Sequence, residues 1–229
     1  MRALGADRIE VTGDLKLAAP DLPADPATLG EMTDRLAGRP VFLAASTHPG
    51  EEPLIQSVHE ALRGRHPGLL TIIAPRHPER GEPLAANAGR LAVTRRSAGA
   101  DPPGAEGVWI ADTLGDLGLL YRLVGHAFVG RSLVEHGGQN PLEPARLGCA
   151  VAVGPNVHNF TDPVAVLESA GALVRVADAA SLVAWVDAML GDPPRRTAMA
   201  QAGIAAASRY AELPGQVAAV LAGLLATRD

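Results

Sequence analysis

Cysteine, aromatic residues and basic charge are all scarce in this chain. Cys149 is the one cysteine among 229 residues, so a disulfide within the chain is impossible and a reducing compartment is expected. It lies in an apolar run, 147–153, which predicts a small buried filler rather than a nucleophile. Aromatic residues make up 3% of the chain and the formal net charge is −5. This composition excludes nucleic acid as a partner, because that function needs a basic surface and stacking side chains.

Long hydrophobic runs and several common catalytic motifs are also missing. No apolar run approaches the ~20 residues that span a bilayer, and no early stretch resembles a signal peptide. A Gly-x-Gly-x-x-Gly after the first complete strand, a P-loop and a Gly-x-Ser-x-Gly elbow are all missing. The seven histidines never form His-Glu-x-x-His, and there is no cysteine cluster. We therefore expect no metal and no cofactor.

The chain does contain a regular alternation of apolar segments. Hydrophobic residues make up 47% of it, and short runs rich in Val, Ile and Leu alternate with longer segments of helical period. This alternation predicts an α/β fold, a Rossmann-like doubly wound parallel sheet, over residues 26–229. The predicted strands are 41–45, 69–74, 91–94, 107–111, 127–129, 150–153 and 173–176. The predicted helices are 26–37, 52–65, 78–88, 116–124, 141–147, 162–168, 180–190, 194–210 and 213–226.

A glycine turn between a strand and a helix is the strongest functional signal. Phe128 and Val129 end a predicted strand, and Gly137 and Gly138 let the backbone approach a ligand closely. The order Asn140-Pro141 is typical of a helix start. Free N–H groups at such a start favour an anion, which predicts a phosphate-bearing ligand.

Residues suited to ligand contact follow three other predicted strands at their carboxyl ends, the edge where open α/β sheets bind ligands. Arg76 comes directly after strand 69–74, where its planar guanidinium suits a phosphate or carboxylate. Gly115 permits close backbone approach after strand 107–111. After strand 41–45, the hydroxyls of Ser46 and Thr47 suit an anion, and His48 is equally compatible with a structural role or with donation to a ligand.

Five segments in order resemble motifs of the 3-deoxy-D-manno-octulosonic acid (Kdo) transferases. The first, 137–143, reads Gly-Gly-Gln-Asn-Pro-Leu-Glu, and the other four are 46–52, 75–80, 112–117 and 154–160. The resemblance implies a GT-B glycosyltransferase with two Rossmann-like halves, of which this chain resembles the C-terminal half alone. Residues 1–25 are then a linker and the end of a missing N-terminal domain, since 9–16 resemble the connection between halves.

The resemblance also implies a function and a set of site residues. The family transfers Kdo from CMP-Kdo, with inversion, to a lipid A precursor, lipid IVA, in lipopolysaccharide biosynthesis. The general base is expected in the missing half, so this chain has no catalytic residue and alone should bind nucleotide without transfer. The implied CMP-binding residues are Pro75, Arg76, Leu114, Gly115, Asp116, Asn140, Pro141, Leu142 and Glu143. The possible donor contacts are Ser46, Thr47, His48, Ser132 and Gly138.

The same family assigns partners and a location to the whole enzyme. The missing half would bind the lipid A precursor and make peripheral contact with the cytoplasmic face of the inner membrane, whereas this fragment is expected to be soluble and cytoplasmic. Two residues depart from the family pattern. Arg131 stands where the second glycine of Phe-Val-Gly-Gly-Ser is usual, and Gln139 stands where histidine is common.

Several interpretations stay open on the sequence alone. Glu143 accepts hydrogen bonds from ribose hydroxyls, or it completes a capping box with Asn140. Asp116 borders a nucleotide-binding turn, or it complements a helix dipole. The alternative functions are a non-catalytic nucleotide-sugar-binding module and a UDP-sugar transferase or epimerase of GT-B architecture.

Overall fold

Seven parallel strands form the single sheet of the computed structural model, which describes residues 13–226 together with Gly5, Ile9 and Val11. Every neighbouring pair is parallel, and the spatial order is β3-β4-β2-β1-β5-β6-β7. This arrangement confirms the predicted doubly wound α/β fold. The strands are β1 Val41–Thr47, β2 Leu70–Pro75, β3 Val93–Arg95, β4 Gly107–Ile110, β5 His126–Val129, β6 Ala150–Val153 and β7 Leu173–Arg175.

Helices cover both faces of the sheet, so the central strands are buried on each side. All seven residues of β1 and all four of β5 are buried, which explains their continuous apolar runs. Separate hydrophobic clusters lie on the two faces, one around Phe42 and Trp185 and the other around Leu43 and Trp109. The helices are α1 Pro26–Arg35, α2 Glu52–Leu62, α3 Gly81–Ala86, α4 Leu117–Val124, α5 Leu142–Arg146, α6 Thr161–Ser169, α7 Ala179–Gly191, α8 Pro193–Ser208 and α9 Leu213–Ala226.

Two predicted helices are interrupted in the structure. The predicted helix 78–88 divides into a 3-10 turn, Pro78–Arg80, and α3. At the junction Gly81 packs against Asp112 so tightly that an added Cβ would lie 2.0 Å from Oδ2 of that carboxylate. The predicted helix 194–210 ends earlier, and a 3-10 helix, Arg209–Glu212, follows α8. In both places tertiary packing overrides a helical sequence pattern.

Strand β1 continues two residues beyond its predicted end. Ser46 and Thr47 belong to the strand, but the register with β2 shifts between Ala45 and Thr47. The cause is Ser46, whose φ of 55° is left-handed, a conformation that non-glycine residues adopt uncommonly.

The segment before α1 lies against the domain in the part that the structure describes. Leu15–Ala18 forms a 3-10 helix, and Arg146 donates to the backbone carbonyls of Leu17, at 2.6 Å, and Ala19. Leu22 packs against the cluster around Trp109. Residues 1–4, 6–8, 10 and 12 of the predicted linker 1–25 lie outside the described residues, as do 227–229 of the predicted domain. The assignment of 1–25 to a linker stays a prediction.

Cys149 is fully buried, as its apolar surroundings predict. Its thiol donates to the Tyr121 carbonyl at 3.2 Å, and burial raises the pKa of the thiol to about 12. Thiolate is the reactive species, so the folded protein should have almost none at pH 8. We expect a colorimetric thiol reagent to leave the native protein unlabelled and to count one thiol in guanidinium chloride. Rapid labelling of the native protein would contradict this burial.

Candidate functional site

The order of the strands reverses direction between β1 and β5. From β1 the chain proceeds to β2, β3 and β4 on one side of the sheet, then returns to β5 on the other side of β1. In open α/β sheets such a switch point opens a crevice outside the carboxyl ends of the strands, and ligands bind there. The segment 46–48 at the end of β1 lies against the segment 130–132 that follows β5, since an added Cβ on Gly130 would lie 2.7 Å from the Ser46 carbonyl oxygen. We call these two segments the walls of the crevice.

Two adjoining cavities lie along this edge, and both are lined by Ser46, Arg76 and Leu117. One has a volume of about 110 Å³ and also contacts Asn140 and Glu143. The other has a volume of about 80 Å³ and continues toward the turn before α4. Residues predicted from four separate segments therefore meet in one crevice. From the predicted set, the two cavities are lined by Ser46, Pro75, Arg76, Leu114, Gly115, Asp116, Asn140 and Glu143.

Glu143 lines the 110 Å³ cavity together with Asn140. Asn140 donates through Nδ2 to Oε1 of Glu143 at 3.4 Å, while its Oδ1 accepts the Leu142 N–H at 3.1 Å. The capping-box alternative is wrong, because it requires Glu143 to accept the backbone N–H of Asn140, whereas the bond comes from the Asn140 side chain. Burial raises the pKa of Glu143, and Asn140, Arg146 and Arg76 oppose this shift. The carboxylate is thus half-buried, beside a neutral amide donor, and open to the cavity.

The start of α5 offers fewer free amides than the sequence indicates. The Leu142 N–H is occupied by Asn140, and Pro141 and Pro144 have no N–H. The Leu142 side chain is fully buried in a hydrophobic cluster with Val129. Expected ligand contacts of Pro141 and Leu142 stay predictions, but the structure contradicts the free Leu142 amide on which they depended.

The two glycines before α5 are required by a neighbouring loop. An added Cβ on Gly137 would lie 2.5 Å from side-chain nitrogens of His158 and Asn159, and one on Gly138 would lie 3.2 Å from the Asn156 carbonyl. Both glycines have positive φ, and the Gly138 N–H donates to the Arg131 carbonyl at 2.8 Å. The predicted close backbone approach therefore exists, but it is made to loop 156–159. Contact of Gly138 with a donor stays a prediction.

Arg76 supplies an available positive charge. Its backbone N–H donates to the Thr47 carbonyl at 3.0 Å, which fixes the start of its side chain beside β1. The side chain is exposed and lines both cavities. Within the part of the chain that the structure describes, no hydrogen bond or ion pair engages its guanidinium. An unpaired arginine in a crevice is well placed to bind an anion.

Asp116 is held by an ion pair that the sequence did not reveal. Arg96 donates through Nε and Nη2 to its two carboxylate oxygens at 2.8 and 3.1 Å, and Thr113 donates to it as well. Arg96 in turn lies over the Trp109 ring, 5.4 Å from its centroid. Asp116 makes no side-chain cap on α4, so neither alternative describes its carboxylate fully. The pair fixes the turn that contains Leu114 and Gly115, whose nucleotide contact stays a prediction.

Glu51 joins the two walls of the crevice, and sequence reasoning missed it. Its side chain is fully buried, and Oε2 accepts the backbone N–H groups of His48 at 2.9 Å and Arg131 at 2.6 Å. Oε1 accepts those of Ser132 at 2.9 Å and Leu133 at 3.0 Å. A carboxylate can satisfy all four donors at once. A signal was available, because Glu51 falls three residues after His48 in one of the five motifs.

The remaining predicted contacts are partly committed to the protein itself. Ser132 is fully buried, and its hydroxyl donates to the Val129 carbonyl at 2.6 Å and accepts the Gly154 N–H at 2.7 Å. Thr47 is fully buried near Glu52. Both hydroxyls are used in hydrogen bonds within the protein. Contact between these side chains and the sugar donor stays a prediction, and their burial disfavours it.

His48 lies at the centre of three imidazoles from three loops. Its Nδ1 is 3.1 Å from the Ser46 carbonyl, and the rings of His77 and His136 lie 5.7 and 6.1 Å from its own. Burial lowers the pKa of His48, and Arg131 and His77 lower it further against the opposing effects of Ser46 and Glu51. Burial thus favours the neutral imidazole, and donation from His48 to a ligand stays a prediction.

The described residues contain neither a metal-binding cluster nor a membrane-spanning helix. Among them, no group of three or more His, Cys, Asp or Glu side chains has a geometry that could hold a metal ion. In the same residues, none of the helices is both long and apolar enough to cross a membrane.

Comparison with known proteins gives curated relatives but no matching family model. The chain is 38% identical over 213 residues to 3-deoxy-D-manno-octulosonic acid transferase of Bordetella pertussis, covering 90% of this chain and 50% of that protein. It is 34% identical over 204 residues to the enzyme of the same name in Haemophilus influenzae, covering 86% and 47%. The chain spans about half the length of these curated relatives.

Solved structures agree with the sequence relatives. The C-terminal CMP-Kdo binding domain of WaaA from Acinetobacter baumannii superposes with a TM-score of 0.72 at 33% identity, covering 79% of this chain and 94% of that domain. Anabaena HepE in complex with UDP, at 11% identity and a TM-score of 0.56, shows a likeness of fold alone. The fold and crevice define the C-terminal, Rossmann-like domain of a GT-B protein. The chain belongs to the 3-deoxy-D-manno-octulosonic acid transferase family, which confirms the predicted resemblance.

Proposed function

We propose that this domain binds CMP-Kdo as the donor half of an inverting Kdo transferase of lipopolysaccharide biosynthesis. The observation that carries the proposal is the meeting of Arg76, Glu143 and the turn before α4 in one crevice at the switch point. A relative that is 33% identical over its domain is described as binding CMP-Kdo. In this proposal Arg76 binds the phosphate, and Glu143 accepts hydrogen bonds from the ribose hydroxyls.

The donor crevice would assist the reaction by stabilising the departing nucleotide. As an acceptor hydroxyl attacks the anomeric carbon, the bond to CMP breaks and negative charge accumulates on the phosphate. A guanidinium already placed beside that oxygen, as we propose for Arg76, stabilises the transition state more than the ground state. The general base belongs, in this proposal, to the acceptor-binding part of the enzyme. The domain alone should therefore bind CMP and transfer nothing.

The acceptor and the location are further parts of the proposal. We propose a lipid A precursor, lipid IVA, as acceptor, bound by the other half of the enzyme in peripheral contact with the cytoplasmic face of the inner membrane. The support is the family itself, whose members are named as Kdo transferases. The test is to measure transfer of Kdo to lipid IVA. We expect transfer by a two-half enzyme that contains this domain and none by the domain alone.

Replacing Glu143 with glutamine is expected to weaken CMP binding about 10-fold or more, because a charge-assisted hydrogen bond contributes about 1.5–3 kcal/mol. Calorimetric titration with CMP measures the change. Glu168→Gln is the matched control, since Glu168 is an exposed residue paired with Arg175. An unchanged CMP affinity for Glu143→Gln with a lower melting temperature would instead assign the carboxylate a structural role.

Competition between CMP and UMP in the same titration tests the alternative nucleotide specificity. A Kdo donor site should prefer CMP, whereas a UDP-sugar transferase or epimerase of the same fold should prefer UMP. Tight CMP binding by a complete two-half enzyme that transfers no Kdo would favour the non-catalytic binding module.

A further inference from the structure

Arg131 is placed in a backbone conformation that its residue type disfavours. Its φ is 62°, and within the described chain Ser46 is the other non-glycine residue with positive φ. These two residues belong to the segments on opposite sides of the switch point. A non-glycine residue held in the left-handed region costs about 1 kcal/mol or more, and such strain clusters at functional sites.

Backbone bonds alone require this conformation at residue 131, and glycine would make the same bonds without strain. The Arg131 N–H donates to Glu51 at 2.6 Å, and its carbonyl accepts the Gly138 N–H at 2.8 Å. Neither bond uses the arginine side chain. The side chain therefore needs a separate explanation, which the backbone does not provide.

One nitrogen of the Arg131 guanidinium lacks both solvent and a hydrogen-bond partner. Arg131 is half-buried, and its Nε is buried without a hydrogen-bond partner among the described residues. Buried donors without partners are uncommon, because each loses its hydrogen bonds to water. The backbone N–H groups of Arg131 and His48 donate to the same oxygen, Oε2 of Glu51, so the two residues are neighbours. An anion bound beside these two groups would supply the missing partner.

Negative charge near this position is already committed elsewhere. Glu51 is the buried carboxylate that accepts the Arg131 backbone N–H, and its two oxygens accept four backbone N–H groups in all. Glu79 lies at the outer histidine, with Oε1 3.8 Å from Nδ1 of His77. Neither carboxylate makes a described contact with the Arg131 guanidinium, because the Glu51 oxygens are occupied by backbone donors and Glu79 lies beside His77.

We infer that Arg131, with His48 beside it, binds the carboxylate of the donor sugar. This inference rests on the proposed CMP-Kdo function, in which Arg76 binds the phosphate. The donor has two anionic groups, the phosphate of CMP and the carboxylate of an octulosonic acid. Arg76 follows β2 and lines both cavities, whereas Arg131 follows β5 on the other side of β1, so the two arginines are separate candidates for the two anions. A planar guanidinium suits a carboxylate, because two parallel N–H···O bonds can form.

Arg131→Gly separates this role from folding. Glycine adopts positive φ freely, so the variant should melt at the same temperature as the parent or a few degrees higher. Calorimetric titration would use CMP and CMP-Kdo as two probes of each protein. We expect the CMP affinity to stay within about twofold and the CMP-Kdo affinity to fall about 10-fold or more, the effect of losing a charge-assisted pair. Arg131→Asn, which also tolerates positive φ, should behave in the same way.

A conservative variant and three other outcomes complete the test. Arg131→Lys keeps the charge but loses the planar pair, so its CMP-Kdo affinity should fall between those of the parent and Arg131→Gly. If Arg131→Gly lowers the affinities for CMP and CMP-Kdo equally, or lowers neither, the carboxylate role is overturned while the proposed function is left intact. Failure of the parent protein to bind CMP and CMP-Kdo would overturn both.

Discussion

Replacing Glu51 with glutamine should lower the free energy of unfolding by about 3 kcal/mol or more. The parent carboxylate accepts two backbone N–H groups on each oxygen, at distances of 2.6–3.0 Å. In either orientation the glutamine amide points an NH₂ group at two of these donors. Each buried donor left without an acceptor costs about 1–3 kcal/mol, and repulsion between donors adds to that cost.

Urea denaturation followed by circular dichroism measures this loss, which corresponds to a melting temperature about 6–12 °C lower in a domain of this size. Glu60→Gln is the matched control. Glu60 is an exposed residue on α2 that pairs with Arg63 at 3.3 Å, and exposed pairs contribute about 0–1 kcal/mol. If Glu51→Gln unfolds within about 1 kcal/mol of the parent, the carboxylate does not hold the two walls of the crevice together.

Acid should destabilise the domain through His126, and His126→Leu should remove that part of the sensitivity. The ring is buried between Phe42, 6.4 Å away, and Trp185, 5.8 Å away. Neither ring nitrogen has hydrogen-bonding geometry with a described residue. The pKa of His126 is lowered from 6.5 to about 3, chiefly by burial and also by Arg196, against an opposing effect of the nearby Val124 backbone.

The direction of the effect follows from the two pKa values. The unfolded chain binds a proton at His126 below about pH 6.5, whereas the folded protein does so only near pH 3. Stability from this group is complete above pH 6.5 and is lost as the pH falls toward 3. Between pH 7 and pH 5 the loss is about 2 kcal/mol.

Urea denaturation at pH 7 and pH 5 compares the parent with His126→Leu. The pKa values of His48 and His59 are also lowered by burial, so both proteins should lose stability in this window. His126→Leu should lose about 2 kcal/mol less than the parent. His158→Gln, a substitution at an exposed histidine, should match the parent. A parallel loss in parent and His126→Leu would mean that the His126 ring is accommodated in its charged form.

The fold was predictable because its signals are local. The strands 41–45 and 150–153 are short apolar runs bounded by turn residues, and both occur in the sheet as β1 and β6 with shifts of at most two residues. The predicted helix 213–226 matches α9. Parallel strands buried on both faces have little choice of composition, so runs of Val, Ile and Ala identify them. The order of the strands then places Arg76 and Glu143 at one edge.

The contacts that shape the crevice depended on residues far apart in the sequence. Glu51 bonds the amide of Arg131, 80 residues later, and Arg96 bonds Asp116, 20 residues later. No local period or motif indicates either pair, since the sheet must form before these side chains meet. Gly81 is a further example. Only glycine fits there because Asp112, on another segment, occupies the space that a Cβ would need. The sequence therefore predicted which residues reach the crevice better than it predicted what holds them there.

Ser46 and Arg131 make the crevice a poor place from which to improve the thermal robustness of this protein. Both residues occupy left-handed backbone at the switch point, where glycine would relax the chain. An engineer selecting for heat resistance would be drawn to substitute both. Ser46 lines both cavities of the crevice, so the relaxed variant would surrender a hydroxyl that faces them. Gains in stability there come at the expense of a group that faces the crevice, so stabilising changes belong on the far edge of the sheet instead.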